Sequence, residues 1–269
     1  MWIRKKRAIC LVLLLSCACS PSTIRIPSLT PKPQTSSTGP LIVTSTNMQG
    51  WAPVMIQTAT SGFVSTPFFP ITGTPGKGSY QFNTGSGDGT TGGIRQGGKP
   101  LLGNTLYNNS LLSDLTQLSY YTYVPSGSGT LQAPYVNLYV DLNGSTGTIL
   151  VYEVPTTNLT HDVWQNWNVL SPNSFWCTTA AVFGAKTCST SSGLPNVSLS
   201  DVIAAYPSAK IADITGLPPS ASYPFSVGNA GLQFLAGSST GGTWKNFVGY
   251  IDYITIGVGT SVQVYDFEN

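Results

Sequence analysis

Short apolar runs separated by turn residues dominate the sequence from about residue 41 onwards. The clearest runs, at 118–124, 135–141 and 148–154, are rich in tyrosine, valine and isoleucine, which favour β-strands. Between the last two runs, Asn143 and Gly144 form a dipeptide that is typical of a hairpin turn. Runs of this length are too short for long amphipathic helices, so this spacing predicts that most of the chain folds as paired strands.

The remaining segments extend this pattern and define the predicted fold class. Further strands are predicted at 53–59, 62–66, 78–83, 210–214, 231–236, 247–256 and 262–268, and a loop at 85–98. Helical signals are limited to a turn at 112–115 and a helix at 200–206 that is capped by Ser198 or Ser200 and stopped by Pro207. The pattern predicts an all-β fold, a two-sheet antiparallel β-sandwich of the jelly-roll type with one or two short helices.

The N-terminus has the pattern of an export signal. Four basic residues at 4–7 precede an apolar run that is too short to span a bilayer, and small residues follow it. The sequence Leu-Leu-Ser-Cys, ending at Cys17, resembles a bacterial lipobox, whose cysteine is lipidated. We therefore predict a lipoprotein signal peptide at 1–17 with Cys17 as the lipid anchor. Cys19 is the alternative anchor, and a plain secretory signal cut near Ala18 or an uncleaved buried helix is the alternative interpretation.

Residues 18–40 are rich in proline, serine and threonine and show no apolar period. Such a composition predicts an extended tether between the membrane and a folded domain at 41–269. The predicted location is the cell surface or outer membrane, reached by export, with secretion into the medium as the alternative. The predicted partner at this end of the chain is the membrane, contacted through the N-terminal lipid.

The net charge of the chain argues against a nucleic-acid partner. The chain has 12 lysines and arginines against 10 aspartates and glutamates, and four of the basic residues belong to the predicted signal peptide. Without that signal, the domain is slightly acidic and carries no basic stripe that would neutralise phosphates.

Two cysteines of the predicted domain, Cys177 and Cys188, lie 11 positions apart in a segment without clear periodicity. Because export leads to an oxidising compartment, we predict a disulfide between them. A zinc site is the alternative, although two cysteines with no nearby histidine provide only half of the usual ligands.

Several segments of the domain resemble a family of bacterial exported β-sandwich modules that is largely uncharacterised. The resemblance covers roughly residues 41–269 and rests on the segments 115–124, 133–141, 150–154, 164–167, 204–211, 247–252 and 265–268. It implies a concanavalin A-like or galactose-binding-like jelly roll, and it implies fold and export more than activity. The segment 249–256 also looks like the closing strand of many carbohydrate-binding modules.

Alternation along 135–141 predicts a candidate sugar platform. It places Val136, Leu138 and Val140 on a core face, and it places on the opposite face the residues Tyr135, Asn137, Tyr139 and Asp141. Aromatic rings can stack on the apolar face of a sugar, and fixed polar groups can bind its hydroxyls. Tyr121 and Tyr123 on a neighbouring strand, Glu153, and the loop residue Trp244 would extend this platform. The alternative is that these tyrosines are ordinary strand residues covered by loops.

The jelly-roll resemblance also implies a structural calcium ion, with Asp252, Asp266 and Glu268 as its candidate ligands. The segment that starts at Asp141 and includes Asn143 and Gly144 is similar to the start of a calcium loop, but it lacks the further carboxylates that such a loop needs. No other cofactor is predicted.

Catalytic signals are sparse, and no catalytic residue is predicted. The single histidine, His161, lies in a predicted loop, and glycoside hydrolysis would need a pair of carboxylates such as Asp141 and Glu153 in one groove. The predicted function is therefore a lipid-anchored, non-catalytic cell-surface protein that contacts extracellular polysaccharide. A neighbouring envelope protein is the other possible partner of this surface protein. A structural or assembly module of the cell envelope or extracellular matrix, without a small ligand, is the alternative function, and a secreted glycan-cleaving enzyme is the third hypothesis.

Overall fold

The computed structural model describes residues 39–56, 58–71, 74–86, 90–91, 94–95, 98–128, 132–172, 174, 176–178, 197–213, 230–237 and 244–269. The predicted signal peptide at 1–17, nearly all of the predicted tether at 18–40, and Cys188 lie outside the described residues. None of the helices within the described ranges combines the length and apolar character needed to cross a bilayer.

The described residues form eighteen strands and one α-helix. The strands are β1 (Leu41–Val43), β2 (Trp51–Ile56), β3 (Thr60–Val64), β4 (Pro70–Ile71), β5 (Thr74–Pro75), β6 (Ser79–Asn83), β7 (Thr90–Thr91), β8 (Ile94–Arg95), β9 (Lys99–Asn104), β10 (Leu115–Tyr123), β11 (Tyr135–Asp141), β12 (Gly147–Tyr152), β13 (Trp164–Asn168), β14 (Cys177–Thr178), β15 (Lys210–Ile211), β16 (Leu232–Leu235), β17 (Val248–Val258) and β18 (Ser261–Phe267). The helix α1 is Leu199–Ala205, and single 3₁₀ turns occur at Leu112–Asp114, Ser126–Ser128 and Thr156–Asn158.

Most strands belong to two seven-stranded sheets. The front sheet has the order β1-β18-β17-β10-β13, with β6 pairing β17 and β3 pairing β6. The back sheet has the order β14-β12-β11-β16-β9-β2, with β15 pairing β11. Among the ladders of these two sheets, β1 with β18 is parallel and the others are antiparallel. The predicted all-β, two-sheet sandwich is confirmed.

The core lies between the inner faces of the two sheets. Val136, Leu138 and Val140 point into it from β11 and are fully buried, as the alternation predicts. Tyr120 of the front sheet packs edge-on against Phe234 of the back sheet, with ring centroids 5.0 Å apart. The Tyr120 hydroxyl donates a hydrogen bond of 2.9 Å to the Pro134 carbonyl, so a buried polar group is satisfied where the sheets meet.

Helix α1 and the hairpin between β11 and β12 agree with the sequence predictions. Ser198 is the N-cap of α1, and its side chain and that of Asp201 satisfy each other's backbone amides in a capping box. Gly144 has a φ of 83°, as a tight hairpin turn requires. Two short hairpins were not predicted. One pairs β4 with β5, and the other pairs β7 with β8 within the segment at 85–98 that was predicted to be a loop.

Candidate functional site

The outer face of the front sheet carries a group of aromatic rings that we call the aromatic face. It consists of Phe69, Tyr121, Tyr123, Trp164, Tyr250 and Tyr253. Five of these rings are half-buried, and Tyr250 is buried. A group of partly exposed aromatic side chains on one face of a sheet is unusual. We therefore treat the aromatic face as a candidate binding surface.

Strand pairing places three of these residues side by side. Tyr121 and Tyr123 are two positions apart in β10 and so point to the same face of the sheet. Tyr123 pairs with Trp164 of β13 on one side and with Tyr250 of β17 on the other. The ring of Tyr123 lies 5.7 Å from that of Trp164 and 6.0 Å from that of Tyr250, which are normal distances for packed aromatic pairs.

A β-bulge in β17 adds Tyr253 to the aromatic face. Between the pairs that Ser119 makes with Thr255 and Tyr121 makes with Asp252, β17 contains one residue more than β10. Tyr253 has a φ of 49°, and Ile254 next to it is fully buried. Because of the bulge, Asp252 and Tyr253 both point to the outer face of the sheet, and Ile254 is the next residue that points into the core.

Phe69 comes from the segment that connects β3 and β6 and lies across the sheet. Its ring is 4.3 Å from that of Tyr121 and 5.3 Å from that of Tyr253, on which it stacks. The Trp164 indole N–H donates a hydrogen bond of 3.0 Å to the Phe68 carbonyl, and the Lys77 amide donates one to Glu268. These contacts fix both ends of the segment on the outer face of the front sheet.

Asp252 and Asp266 lie close to Tyr253, and Glu268 lies close to both of these aspartates. Asp252 is fully buried, and its Oδ1 accepts hydrogen bonds from the amides of Tyr253 and Phe267 at 2.7 and 2.8 Å. Burial raises the pKa of Asp252 well above its ordinary value, the two amide hydrogen bonds oppose that rise, and the nearby Asp266 and Glu268 add to it. Burial, together with the neighbouring Glu268, raises the pKa of Asp266 to about 6.

A fourth carboxyl group, Asp162, borders the opposite end of the aromatic face. It is exposed and accepts a hydrogen bond of 3.0 Å from the Ser126 amide, which lowers its pKa. The Tyr123 hydroxyl lies 3.5 Å from Asp162 Oδ1. His161 precedes Asp162 in the chain, and its Nδ1 lies 3.1 Å from the Pro125 carbonyl oxygen.

The predicted platform on β11 is wrong as an accessible surface. Tyr135, Asn137 and Tyr139 do point away from the core face, but their side chains are 5–7 % exposed. Tyr121 and Tyr123 were expected to extend this platform, but they lie on the other sheet. The sequence pattern identified the correct face of each strand, but alternation does not indicate whether other parts of the chain cover that face.

Trp244 was expected to be an exposed loop ring and is instead buried, at 9 % exposure. It packs edge-on against Phe247 with centroids 4.7 Å apart and also contacts Tyr135. The two tryptophans of β13, Trp164 and Trp167, differ in their surroundings. Trp167 is buried and donates a hydrogen bond of 2.7 Å to the Thr122 hydroxyl, whereas Trp164 belongs to the aromatic face.

Asp141 and Glu153 do not form the carboxylate pair that glycoside hydrolysis would need. Asp141 pairs with Gly147 at one end of the β11–β12 ladder, and Glu153 follows Tyr152 at the other end. Six residues of strand separate these positions by roughly 20 Å, beyond the separation that hydrolases use. Asp141 caps the hairpin by accepting from the amides of Asn143 and Gly144, and it lies 3.6 Å from the Lys210 ammonium.

Glu153 has its own surroundings at the far end of β12. Its side chain is exposed, yet nearby protein atoms desolvate it enough to raise its pKa, while Lys99 opposes the shift. Lys99 Nζ lies 6.0 Å from the centre of the Tyr135 ring. Glu153 therefore lies near Tyr135 of the back sheet and not on the aromatic face.

The calcium and disulfide predictions remain predictions. No three or more carboxylate, histidine or cysteine side chains of the described ranges come together in a way that could hold a metal ion. Asp252 and Asp266 do each have one buried oxygen without a hydrogen-bond partner. The predicted disulfide involves Cys188, which lies outside the described residues.

Four members of the aromatic face were not predicted as site residues: Phe69, Trp164, Tyr250 and Tyr253. The sequence did contain a signal for Tyr253. The apolar residues Ile251 and Ile254 are three positions apart, which breaks the alternation of β17 and is typical of a bulge. Phe69 had no such signal, because the segment that carries it lacks any strand pattern.

No protein-family model and no curated protein matches this chain. Among solved structures, it is similar to a family 11 carbohydrate-binding module from Clostridium thermocellum in complex with a β-1,3-1,4-mixed-linked tetrasaccharide, with 13 % identity over 79 % of this chain and 90 % of that one and a TM-score of 0.36. The family 11 carbohydrate-binding module of the cellulosomal cellulase Lic26A-Cel5E of the same organism gives 10 % identity, coverages of 82 % and 90 %, and a TM-score of 0.35. At these scores, the similarity assigns neither a family nor a ligand to this chain.

Proposed function

We propose that this protein binds polysaccharide through the aromatic face of its front sheet, without cleaving it. The observation that carries the proposal is the set of six aromatic rings on one outer sheet face, five of them partly accessible. Flat rings offer apolar surface to the C–H face of a pyranose, and this contact loses little side-chain entropy because each ring is held by its neighbours.

Polar groups at the border of the rings supply the second requirement of sugar recognition. Gln81 Nε2 donates to the Tyr250 hydroxyl at 3.0 Å, so that hydroxyl is held in a fixed orientation. Asp162 and Glu268 provide acceptors at the two ends of the aromatic face. Fixed hydroxyl, amide and carboxylate groups around an apolar platform suit the alternating C–H and hydroxyl surface of a sugar chain.

We also propose that the protein is exported and held at the cell surface by a lipid on Cys17, with Cys19 as the alternative anchor. The support is the sequence: a basic segment, a short apolar run and a lipobox-like tetrapeptide precede a proline-rich tether. A surface anchor and a polysaccharide-binding domain would together hold the cell on a glycan or hold a glycan on the cell.

The binding proposal is tested with the full-length protein, extracted in detergent, against a panel of immobilised polysaccharides. The panel contains neutral β-glucans, chitin, chitosan and a polyuronate. We expect binding to at least one member and its loss in the Tyr121→Ala variant. The Met55→Ala variant is the control, because Met55 is 50 % exposed on an edge strand of the back sheet, and it should bind like the parent protein.

Failure to bind any member of the panel would contradict the proposed function. Binding that is unchanged in Tyr121→Ala would contradict the proposed site. The anchor is tested separately by mass spectrometry of the membrane-extracted protein, which should show acyl mass on an N-terminal cysteine. An unmodified N-terminus at Ala18 or Ser20 would contradict lipid anchoring.

A further inference from the structure

Negative charge surrounds the aromatic face. Asp162 lies at the Tyr123 end, and Asp266 and Glu268 lie at the Tyr253 end. Among the described residues, the exposed Lys77 acts on Glu268 and opposes the rise in its pKa that burial causes. At the Tyr123 end, His161 and Tyr123 itself are titratable groups that act on Asp162, and both help to lower its pKa. A ligand on the rings therefore meets carboxylates at both of its ends.

Two of the carboxyl groups at the Tyr253 end are incompletely satisfied. Asp266 is 3 % exposed, and its Oδ1 is buried without a hydrogen-bond partner. Asp252 Oδ2 is in the same state, although its Oδ1 accepts from two backbone amides. Buried carboxylate oxygens normally have donors or a nearby positive charge. Above its pKa of about 6, Asp266 therefore carries a negative charge, and no donor among the described residues bonds its Oδ1.

The register of the strands connects these carboxylates to the rings. Tyr265 and Phe267 of β18 point into the core, so Asp266 between them points to the same outer face as Tyr253. Burial raises the pKa of the Tyr253 hydroxyl, and Asp266 and Asp252 add to this rise, which is consistent with this placement. A group stacked on Tyr253 would therefore lie close to the carboxylates.

We propose that the aromatic face selects polysaccharides whose sugars carry protonated amino groups, such as polymers of glucosamine. This inference rests on the proposed function and names its ligand class. Ammonium groups are attracted both to the faces of aromatic rings and to carboxylates, and charge-assisted hydrogen bonds are stronger than neutral ones. Polyuronates carry the opposite charge and are repelled by the same carboxylates.

The experiment compares chitosan oligosaccharides with chitin oligosaccharides of equal length, using the full-length protein and isothermal titration calorimetry in a buffer slightly above pH 6, at which most of Asp266 is ionised. Both ligands have the same backbone, but the acetyl groups of chitin remove the positive charges. We expect chitosan to bind at least about tenfold more tightly, as one or two charge-assisted hydrogen bonds would give. Neutral β-glucan oligosaccharides serve as a second, uncharged reference.

Conservative variants test the carboxylates without disturbing the backbone contacts. Asp162→Asn keeps an acceptor for the Ser126 amide, and Glu268→Gln keeps one for the Lys77 amide. Each variant should weaken chitosan binding severalfold and lower the ratio of chitosan affinity to neutral-oligosaccharide affinity. Asp114→Asn removes a charge of the same sign from an exposed position elsewhere and should leave both affinities unchanged.

The outcomes separate this inference from the proposed function. Equal affinity for chitosan and chitin would overturn the amino-sugar inference, and so would chitosan binding that Asp162→Asn and Glu268→Gln do not weaken. In either case, binding to one of the two glycans would still support the proposed function. Oligolysine that binds as tightly as chitosan would also overturn the inference, because charge alone would then be recognised. The absence of binding to every glycan would contradict the proposed function itself.

Discussion

The outer faces of the two sheets carry similar residues but differ in exposure. On the front sheet, Tyr121 and Tyr123 of β10 are half-buried and belong to an aromatic surface. On the back sheet, Tyr135 and Tyr139 of β11 alternate in the same way, yet both are buried. The same strand pattern therefore produces a candidate binding surface in one place and packed interior in the other.

The contacts of each strand explain much of this difference. Strand position does not separate the two, because β11 is flanked by β12 on one side and by β15 and β16 on the other, and β10 is likewise flanked by β17 and β13. The Tyr135 hydroxyl donates a hydrogen bond of 2.7 Å to the Gly237 carbonyl, so this tyrosine is satisfied inside the protein. On the front sheet, the contacts of Tyr121 and Tyr123 are mainly with other rings, which leaves their outer surfaces to a ligand.

The largest expected effect concerns Tyr135 of the back sheet. Tyr135→Ala should lower the free energy of unfolding by about 3–5 kcal/mol, because it removes a buried ring and leaves a cavity. Chemical denaturation measures this change. Tyr135→Phe, which removes the hydroxyl alone, should lower stability by about 1 kcal/mol. A loss below about 1 kcal/mol for Tyr135→Ala would mean that this face is open in solution, and the comparison between the sheets would fail.

The second prediction concerns Trp164 of the front sheet. Trp164→Ala should weaken binding of the recognised oligosaccharide by roughly thirtyfold, or about 2 kcal/mol, as expected for a central aromatic contact. The loss of stability should be smaller than for Tyr135→Ala, because Trp164 is half-buried on an edge strand. Titration calorimetry and denaturation on the same variant measure both effects. A variant with parental affinity would remove Trp164 from the site.

The third prediction concerns pH and Asp266. Its pKa is about 6 in the folded protein and about 3.8 in an unfolded chain, so the folded state holds the proton more tightly. Stability should therefore fall as the pH rises from about 4 to about 6, by an amount on the order of 2 kcal/mol from this group. Asp266→Asn should remove this part of the pH dependence. An unchanged profile in that variant would show that Asp266 titrates normally.

The smallest predicted effect concerns Asp141, which the sequence analysis assigned to a sugar platform. In the structure, it caps the β11–β12 hairpin and pairs with the half-exposed Lys210. Asp141→Ala should lower stability by about 1 kcal/mol, because two amides lose an acceptor and a surface ion pair is lost. Oligosaccharide affinity should not change. Loss of affinity in this variant would return the binding site to the back sheet.

Much of the fold could be predicted because the strands have local signals. The strand at 135–141 was predicted with the bounds that the structure has, and the helix at 200–206 was predicted to within one residue. β9 (Lys99–Asn104) was missed because it begins with Lys-Pro and contains glycine, which are weak strand residues, although it is almost fully buried between β16 and β2. Pairing with its neighbours, rather than local propensity, makes this segment a strand.

The candidate site was less predictable because it depends on contacts between distant segments. Phe69 packs against Tyr121 and Tyr253, which follow it in the sequence by 52 and 184 positions, and no local pattern links the three residues. Tyr121 and Tyr123 were predicted as site residues, but they were combined with the wrong sheet. Alternation identifies the residues that share a face of one strand, whereas strand order and the cover of each face are set by the whole fold.

The central claim is that the front sheet, and not the back sheet, contacts the polysaccharide. Hydroxyl-radical footprinting by mass spectrometry, with and without the tightest-binding oligosaccharide of the panel, measures the accessibility of each aromatic side chain directly. Ligand should protect Tyr121, Tyr123, Trp164 and Tyr253 and leave the segment 135–141 unchanged. Protection of 135–141, with no change at Tyr121 or Trp164, would contradict the account.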